Sequence, residues 1–246
     1  MIPDTFDGYD MIVVSVSGGK DSQACLSLVA MACRERKFKG HLVAVHADTG
    51  AEWNETEPHC RLLADAEGVE LAVVRNKVLL PEKIAARCRK LEPGKGGWPS
   101  PACRYCTSDC KRDPIHTWVR QSKARNILMV TGERKEESPH RAKLAPGGRV
   151  ERLCAAGRVV EGWRPLLEYK EPEVWKAIGV TGHPVHVAYS LGNDRLSCAM
   201  CVLASEGDIR RGAEARPDLA KLYLDIEVST KHTFRAKKSL EQILEG

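Results

Sequence analysis

The chain has 246 residues, 43% hydrophobic and 29% charged, a balance that suits a folded protein with a substantial core and excludes a disordered or fibrous one. Lys and Arg number 38 against 33 Asp and Glu, and this net charge of +5 favours an anionic ligand without establishing nucleic-acid binding. No apolar run reaches the roughly 18 residues of a membrane span, and the start Met1-Ile-Pro-Asp-Thr-Phe-Asp7 carries acids where a secretory leader carries bases, so a cytoplasmic protein without membrane contact is expected.

In chain order, Met11-Ile-Val-Val-Ser-Val-Ser-Gly-Gly-Lys-Asp-Ser22 predicts a buried strand at 11–16, a glycine turn, and a helix over 22–37. Such a turn lets backbone approach a ligand and aims the helix's unpaired N–H groups and positive dipole end at it. Ser15, Ser17, Gly18, Gly19, Lys20, Asp21 and Ser22 are therefore candidate phosphate-binding residues. The spacing matches neither Gly-x-x-x-x-Gly-Lys-Ser/Thr nor Gly-x-Gly-x-x-Gly. Apolar runs at 41–47, 70–74 and 126–131 predict three further buried strands, alternating with helices at 54–67, about 81–91 and 114–124. That alternation predicts an α/β fold with a doubly wound, mostly parallel sheet and ligands at the strand C-termini. Residues 92–113, with six Pro or Gly and three Cys, break the pattern as a functional or metal-held insert. After Gly132 a basic, irregular stretch runs to Gly148, as a loop over a site would. Helices are expected at 172–179, Pro217 to about Thr230 and Ser239–Leu244. The expected division is a nucleotide-binding domain over 1–200, insert included, and a helical extension over 201–246.

Three constellations carry chemistry. Asp48-Thr49-Gly50 closes the second strand, where the carboxylate suits a ribose hydroxyl or a magnesium ion, and Asp-x-Gly is equally ordinary turn chemistry. Arg134, Lys135, His140 and Arg141 follow the fourth strand and suit a cationic clamp on phosphate or sulfate oxygens. Cys103-x-x-Cys106 and Cys198-x-x-Cys201 are two pairs at ligand spacing, predicting a four-thiolate centre holding zinc or a four-iron four-sulfur cluster, with Cys110 as a competing ligand. Cys25, Cys33, Cys60, Cys88 and Cys154 lack ligand-spaced neighbours and read as core thiols.

Ser17-Gly-Gly-Lys-Asp-Ser22 resembles the pyrophosphate loop of the ATP pyrophosphatases. Together with Asp48-Thr-Gly-Ala-Glu-Trp-Asn-Glu-Thr56, the pattern Gly132-x-Arg-x-x-Glu-Ser-x-x-Arg141, Trp163-Arg-Pro-Leu166, Val174-Trp175 and Tyr189-x-x-Gly192, it makes the chain resemble the phosphoadenosine phosphosulfate reductase-like family. That family lies in the PP-loop, adenine nucleotide alpha hydrolase-like superfamily, and the match extends from about Met11 to Cys201. The resemblance implies a Rossmann-like PP-loop fold and ATP with Mg2+ as nucleotide and cofactor. It implies catalytic roles for Lys20, Asp48, Arg134 and Arg141, and nucleotide contacts from Thr49 and Gly132. It favours a 4Fe-4S cluster over zinc at Cys103, Cys106, Cys198 and Cys201, although the first pair here is Cys-x-x-Cys where relatives have adjacent cysteines. A sulfur-donor protein, a nucleic-acid substrate met by the basic tail (Arg210, Arg211, Lys231, His232, Arg235, Lys237, Lys238) and a homo-oligomer are the partners it suggests. The tail reads equally as a solvated amphipathic helix.

Reductases of the family attack sulfur with a late cysteine in a Glu-Cys-Gly-Leu-His segment, and no cysteine follows Cys201 in this sequence. The expectation is accordingly an ATP pyrophosphatase that adenylates an acceptor, for sulfur transfer or nucleic-acid modification. A sulfonucleotide reductase and a non-catalytic nucleic-acid-binding module with a four-cysteine metal site are the alternatives.

Overall fold

The computed structural model describes residues 5–246. Its elements run β1 (Met11–Val16), α1 (Lys20–Glu35), β2 (His41–Asp48), α2 (Thr56–Glu67), β3 (Glu70–Arg75), α3 (Leu80–Lys90), α4 (Tyr105–Thr107), a π-helical turn (Ser108–Arg112), α5 (Asp113–Gln121) and β4 (Asn126–Val130). They continue through β5 (Gly147–Arg149), β6 (Val159–Trp163), α6 (Glu171–Thr181), α7 (Val187–Ser190), α8 (Glu206–Ala215), α9 (Pro217–Thr230) and α10 (Leu240–Glu245). One six-stranded sheet has the order β3-β2-β1-β4-β6-β5, with β1 parallel to β2 and β4, β4 parallel to β6, and β5 antiparallel at the edge.

The chain divides into two compact units. Unit 1 comprises the described residues up to His46, then Glu57–Val74 and Ile115–His186. Ile12, Val13 and Val14 of β1 are all fully buried, so both sheet faces are covered, as a central parallel strand requires. The β-branched run that identifies β1 in the sequence is thus the consequence of its position. α1 packs on β1 and on α6, and its Leu26 and Val29 join Val14, Leu63, Leu128, Val130 and Trp163 in the core. Connections step from β1 toward β2 and β3 on one side and through β4 to β6 on the other. The C-terminal ends of β1 and β4 therefore form the topological switch point where ligands of open α/β sheets bind.

β5 and β6 were absent from the strands expected along the sequence. The three residues of β5, Gly147-Gly-Arg149, are all exposed. In β6 only Val160 and Trp163 are buried, with Glu161 and Gly162 between them, so neither strand writes an apolar run.

Unit 2 comprises Ala47–Thr56, Arg75–Pro114 and Val187–Gly246. Its centre is aromatic: Trp98 meets Tyr223 and Phe234 edge-on, each at 5.0 Å between centroids, and Trp98 Nε1 donates to His232 O at 3.0 Å. Tyr105 Oη donates to Gly97 O at 2.6 Å, and α3 packs along α9. The 92–113 insert and the C-terminal helices thus build one core, a different division from a boundary at residue 200. α8, also unexpected, is charged and carries two glycines, yet Ser205 Oγ caps it by accepting from Asp208 N at 3.1 Å.

Candidate functional site

The glycine turn lies between β1 and α1, at the switch point of unit 1. Gly18 has φ +75°, a left-handed conformation that a residue with a Cβ adopts only under strain, and Gly19 is the N-cap of α1 with no side-chain cap bond. Hydroxyls fix the turn and leave the first-turn N–H groups uncapped: Ser22 Oγ accepts from Ser17 N at 3.1 Å, lies 3.3 Å from Ser17 Oγ, and donates to Gly19 O at 2.9 Å. The two serines lock the loop with their own backbone, so the first-turn N–H groups of α1 converge on one place. Ser15 is a strand residue in register with Val45, one step short of the turn.

Lys20 is only 4% exposed. Its ammonium stands 3.6 Å from Glu171 and 3.9 Å from Asp21, and 5.9 Å from the Trp175 ring centroid. A buried ammonium held between two carboxylates and beside an aromatic ring places positive charge at the glycine turn. Trp175 is half-buried beside this lysine and packs against the core, and Glu171, on the same helix face four residues earlier, was not anticipated.

Arg134 is 3% exposed and bound to carboxylates, its Nε at 2.5 Å from Asp21 and its Nη1 at 2.6 Å from Glu136. Although burial disfavours its charge, the Asp21 and Glu136 carboxylates hold the guanidinium above its ordinary value. Arg134 therefore fastens the first turn of α1 to the segment after β4. Arg141 is partly exposed and pairs with Glu137 and, at 3.6 Å, with Glu133. The expected clamp is thus a lattice of ion pairs in which Arg141 is the more accessible of the two arginines. Gly132 plays a packing part: a Cβ there would stand 2.6 Å from Asp21 O, so it is the close approach of β4's exit to α1 that demands glycine.

In unit 2, both oxygens of Asp48 are engaged, one accepting from Gly50 N at 2.7 Å and the other 2.9 Å from Arg75 Nε. The turn reading of Asp-x-Gly is therefore realised, with Arg75 neutralising the carboxylate. Thr49 is buried, and its N and Oγ1 both donate to Glu52, at 2.9 and 2.7 Å. Glu52 is the hub that sequence reading missed. Its carboxylate also meets Lys111 at 3.4 Å and accepts from Cys198 Sγ at 3.6 Å. Its position within Asp48-Thr-Gly-Ala-Glu was visible, but its partners lie far off in sequence.

Burial pushes the Cys106 and Cys198 thiols up, and the nearby Cys201 sulfur adds to both. The Lys111 ammonium, facing Cys198 and Glu52, is held above its ordinary value. Cys103 is exposed and its sulfur takes Arg87 Nη2 at 3.7 Å, while Cys110 is wholly buried with its thiol raised by burial to about 11. Among the described residues, no three His, Cys, Asp or Glu side chains converge as ligands of one ion. Of the expected four-thiolate set, Cys106, Cys198 and Cys201 thus lie near one another, with Cys103 exposed. Soft sulfur donors beside the half-buried Lys111 ammonium are a donor set that fits an anionic thiolate–metal centre.

The phosphoadenosine phosphosulfate reductase domain family matches residues 11–204. The chain belongs to that family. Two uncharacterized proteins of Methanocaldococcus jannaschii are 27% and 25% identical over 87% and 90% of the chain, and the chain spans 47% and 42% of their lengths. An uncharacterized 37.8 kDa protein of Escherichia phage 186 is 27% identical over 80% of the chain and 68% of its own length. Among solved structures, a phosphoadenylyl-sulfate reductase of Candida auris superposes with a TM-score of 0.52 at 17% identity, covering 76% of this chain and 80% of that one. The U34-tRNA thiolase of Methanococcus maripaludis, solved with its [4Fe-4S] cluster, gives 0.51 at 16% identity over 96% and 70%. A Candida glabrata FMN adenylyltransferase gives 0.52 at 16% identity over 80% and 57%. These likenesses establish the fold that this member of the reductase domain family shares with nucleotide-handling enzymes. No helix among the described residues is long and apolar enough to cross a membrane.

Proposed function

We propose that this chain binds ATP at the Ser17–Ser22 loop and cleaves it between the α- and β-phosphates, transferring AMP to an acceptor that sulfur or another nucleophile then displaces. The observation that carries the reading is the loop itself: six consecutive residues, locked by two hydroxyls, bring amide N–H groups, a helix dipole and a buried ammonium to one switch point. In the α,β-cleavage, an acceptor oxygen attacks the α-phosphorus while pyrophosphate departs. The loop N–H groups hold the departing oxygens, Lys20 neutralises them, and Arg141 faces the remaining charge. Asp21 and Arg134 keep the first turn of α1 in place. A magnesium ion, where bound with the nucleotide, would supply further charge neutralisation. Asp21 and Asp48, each paired with an arginine, leave no carboxylate of the expected set to be assigned to it.

The test is pyrophosphate–ATP isotope exchange with candidate acceptors. Exchange is expected in the parent chain and should fall at least ~100-fold in Lys20→Ala, the scale of losing one charge-stabilising group. Absence of exchange with every acceptor, together with reduction of phosphoadenosine phosphosulfate, would move the protein to the reductase reading.

For the sulfur centre we propose Cys103, Cys106, Cys198 and Cys201 as thiolate ligands of a 4Fe-4S cluster, which would supply a site to bind or relay sulfur. Lys111 and Glu52 set the charge around Cys198. Iron and sulfide in the anaerobically purified chain should fall by more than half in Cys198→Ser, and an unchanged metal content refutes the assignment.

A further inference from the structure

The positive charge of this chain is concentrated in one place. The segment 75–114 holds ten basic and four acidic residues, +6, so the rest of the chain is slightly acidic, 28 basic against 29 acidic. The expected basic tail is not where the excess lies: residues 187–246 carry nine of each sign. Most of its cations are also spent internally, with Lys231 and Lys237 exposed. Arg210 donates to Ile243 O and pairs with Glu206, Arg211 binds Asn193 and Asp208, Arg235 donates to Val202 O and Ala204 O, and Lys238 pairs with Glu206. His232 is buried between Thr230 O and Glu92 O.

On α3, Arg87, Arg89 and Lys90 are exposed, and Lys83, Arg87 and Lys90 follow at i, i+4 and i+7, one stripe of the helix. Arg87 lies over the Tyr105 ring at 4.7 Å, which joins this stripe to exposed Arg104 in the insert, and Lys95 extends it. The C-terminal dipole of α3 explains cations in its last turn, but not Lys95 or Arg104, which lie outside the helix. Arg87, Arg89, Lys90 and Arg104 make no salt bridge among the described residues.

We infer that this α3–insert face of unit 2 binds the sugar–phosphate backbone of a nucleic acid. A protein partner would want an apolar centre to its patch, and Val78 is the one large hydrophobic in the segment that is exposed. Trp98 and Tyr105, the aromatics here, are buried, so no side chain stands ready to stack on bases and the contact reads phosphates rather than sequence. Naming nucleic acid as the acceptor rests on the adenylation reading; the binding does not, and its assay contains no ATP.

The experiment is fluorescence anisotropy of the full chain with a 20-base-pair DNA duplex and with an RNA hairpin, from 50 to 200 mM salt. For roughly four duplex phosphates neutralised, the slope of log K on log salt should be about −3 to −4. Arg89→Glu/Lys90→Glu should flatten it by about 2 and weaken binding roughly tenfold or more, with the far-UV circular dichroism and melting midpoint unchanged. Lys221→Glu/Lys237→Glu, the same charge change on the C-terminal helical region, should alter affinity less than about twofold. A preference between the two probes names the nucleic acid. The inference is overturned if neither probe binds in a salt-dependent way, if the control pair loses as much, or if polyglutamate or phosphatidylserine vesicles compete as well as the probes at equal charge.

Discussion

The two units build their chemistry in opposite ways. In unit 1 the phosphate loop is six consecutive residues whose own backbone and hydroxyls fix its shape, and the sheet merely delivers it to the switch point. In unit 2 the sulfur neighbourhood draws Thr49, Glu52, Cys106, Lys111, Cys198 and Cys201 from three separate stretches, and only packing brings them together. A site made of local geometry is robust to distant substitution; one made of packing is vulnerable at any point where backbones touch.

The sharpest such point is Gly212 of α8. A Cβ there would stand 1.6 Å from Ala199 O, inside the Cys198–Cys201 loop. Helix propensity favours alanine by about 1 kcal/mol, whereas overpacking costs about 1–3 kcal/mol or more when the obstacle is backbone. Gly212→Ala should therefore destabilise unit 2 by a net of about 2 kcal/mol. Hydrogen exchange should show lost protection in α8 and α9 with β1 and β4 unaffected; uniform loss would erase the distinction between the units.

A smaller effect is expected in unit 1. Burial, with His59 beside it, lowers the fully buried His186 imidazole to about 4. The unfolded chain takes up that proton below the ordinary value near 6.5, so stability is complete above this pH and falls as pH drops toward 4. Between pH 7 and 5.5 the loss is about 1 kcal/mol, read as a shift in denaturation midpoint. His186→Leu should remove most of that pH dependence, and an equal slope in the variant would contradict it.

The same contrast explains what the sequence made legible. β1, β2 and β4 are written as apolar runs because parallel strands inside the sheet are buried on both faces, edge strand β3 has an apolar run with only Val74 buried, and the loop is written as consecutive residues. β5 and β6 are not, because edge position and Gly162 remove the apolar signal. Cys-x-x-Cys spacing pointed to Cys106, Cys198 and Cys201, but Glu52, Lys111 and Gly212 carry no local mark of their tertiary neighbours. The basic tail shows the same limit, since composition counts charges and only the fold shows that Arg210, Arg211 and Arg235 are already bonded.

The most direct test of the central claim is phosphorus NMR of the products formed when the anaerobically purified chain meets ATP and candidate acceptors. The expected products are pyrophosphate and AMP, free or joined to the acceptor, both reduced at least ~100-fold in Lys20→Ala. ADP with inorganic phosphate, or untouched ATP alongside sulfite released from phosphoadenosine phosphosulfate, would contradict it.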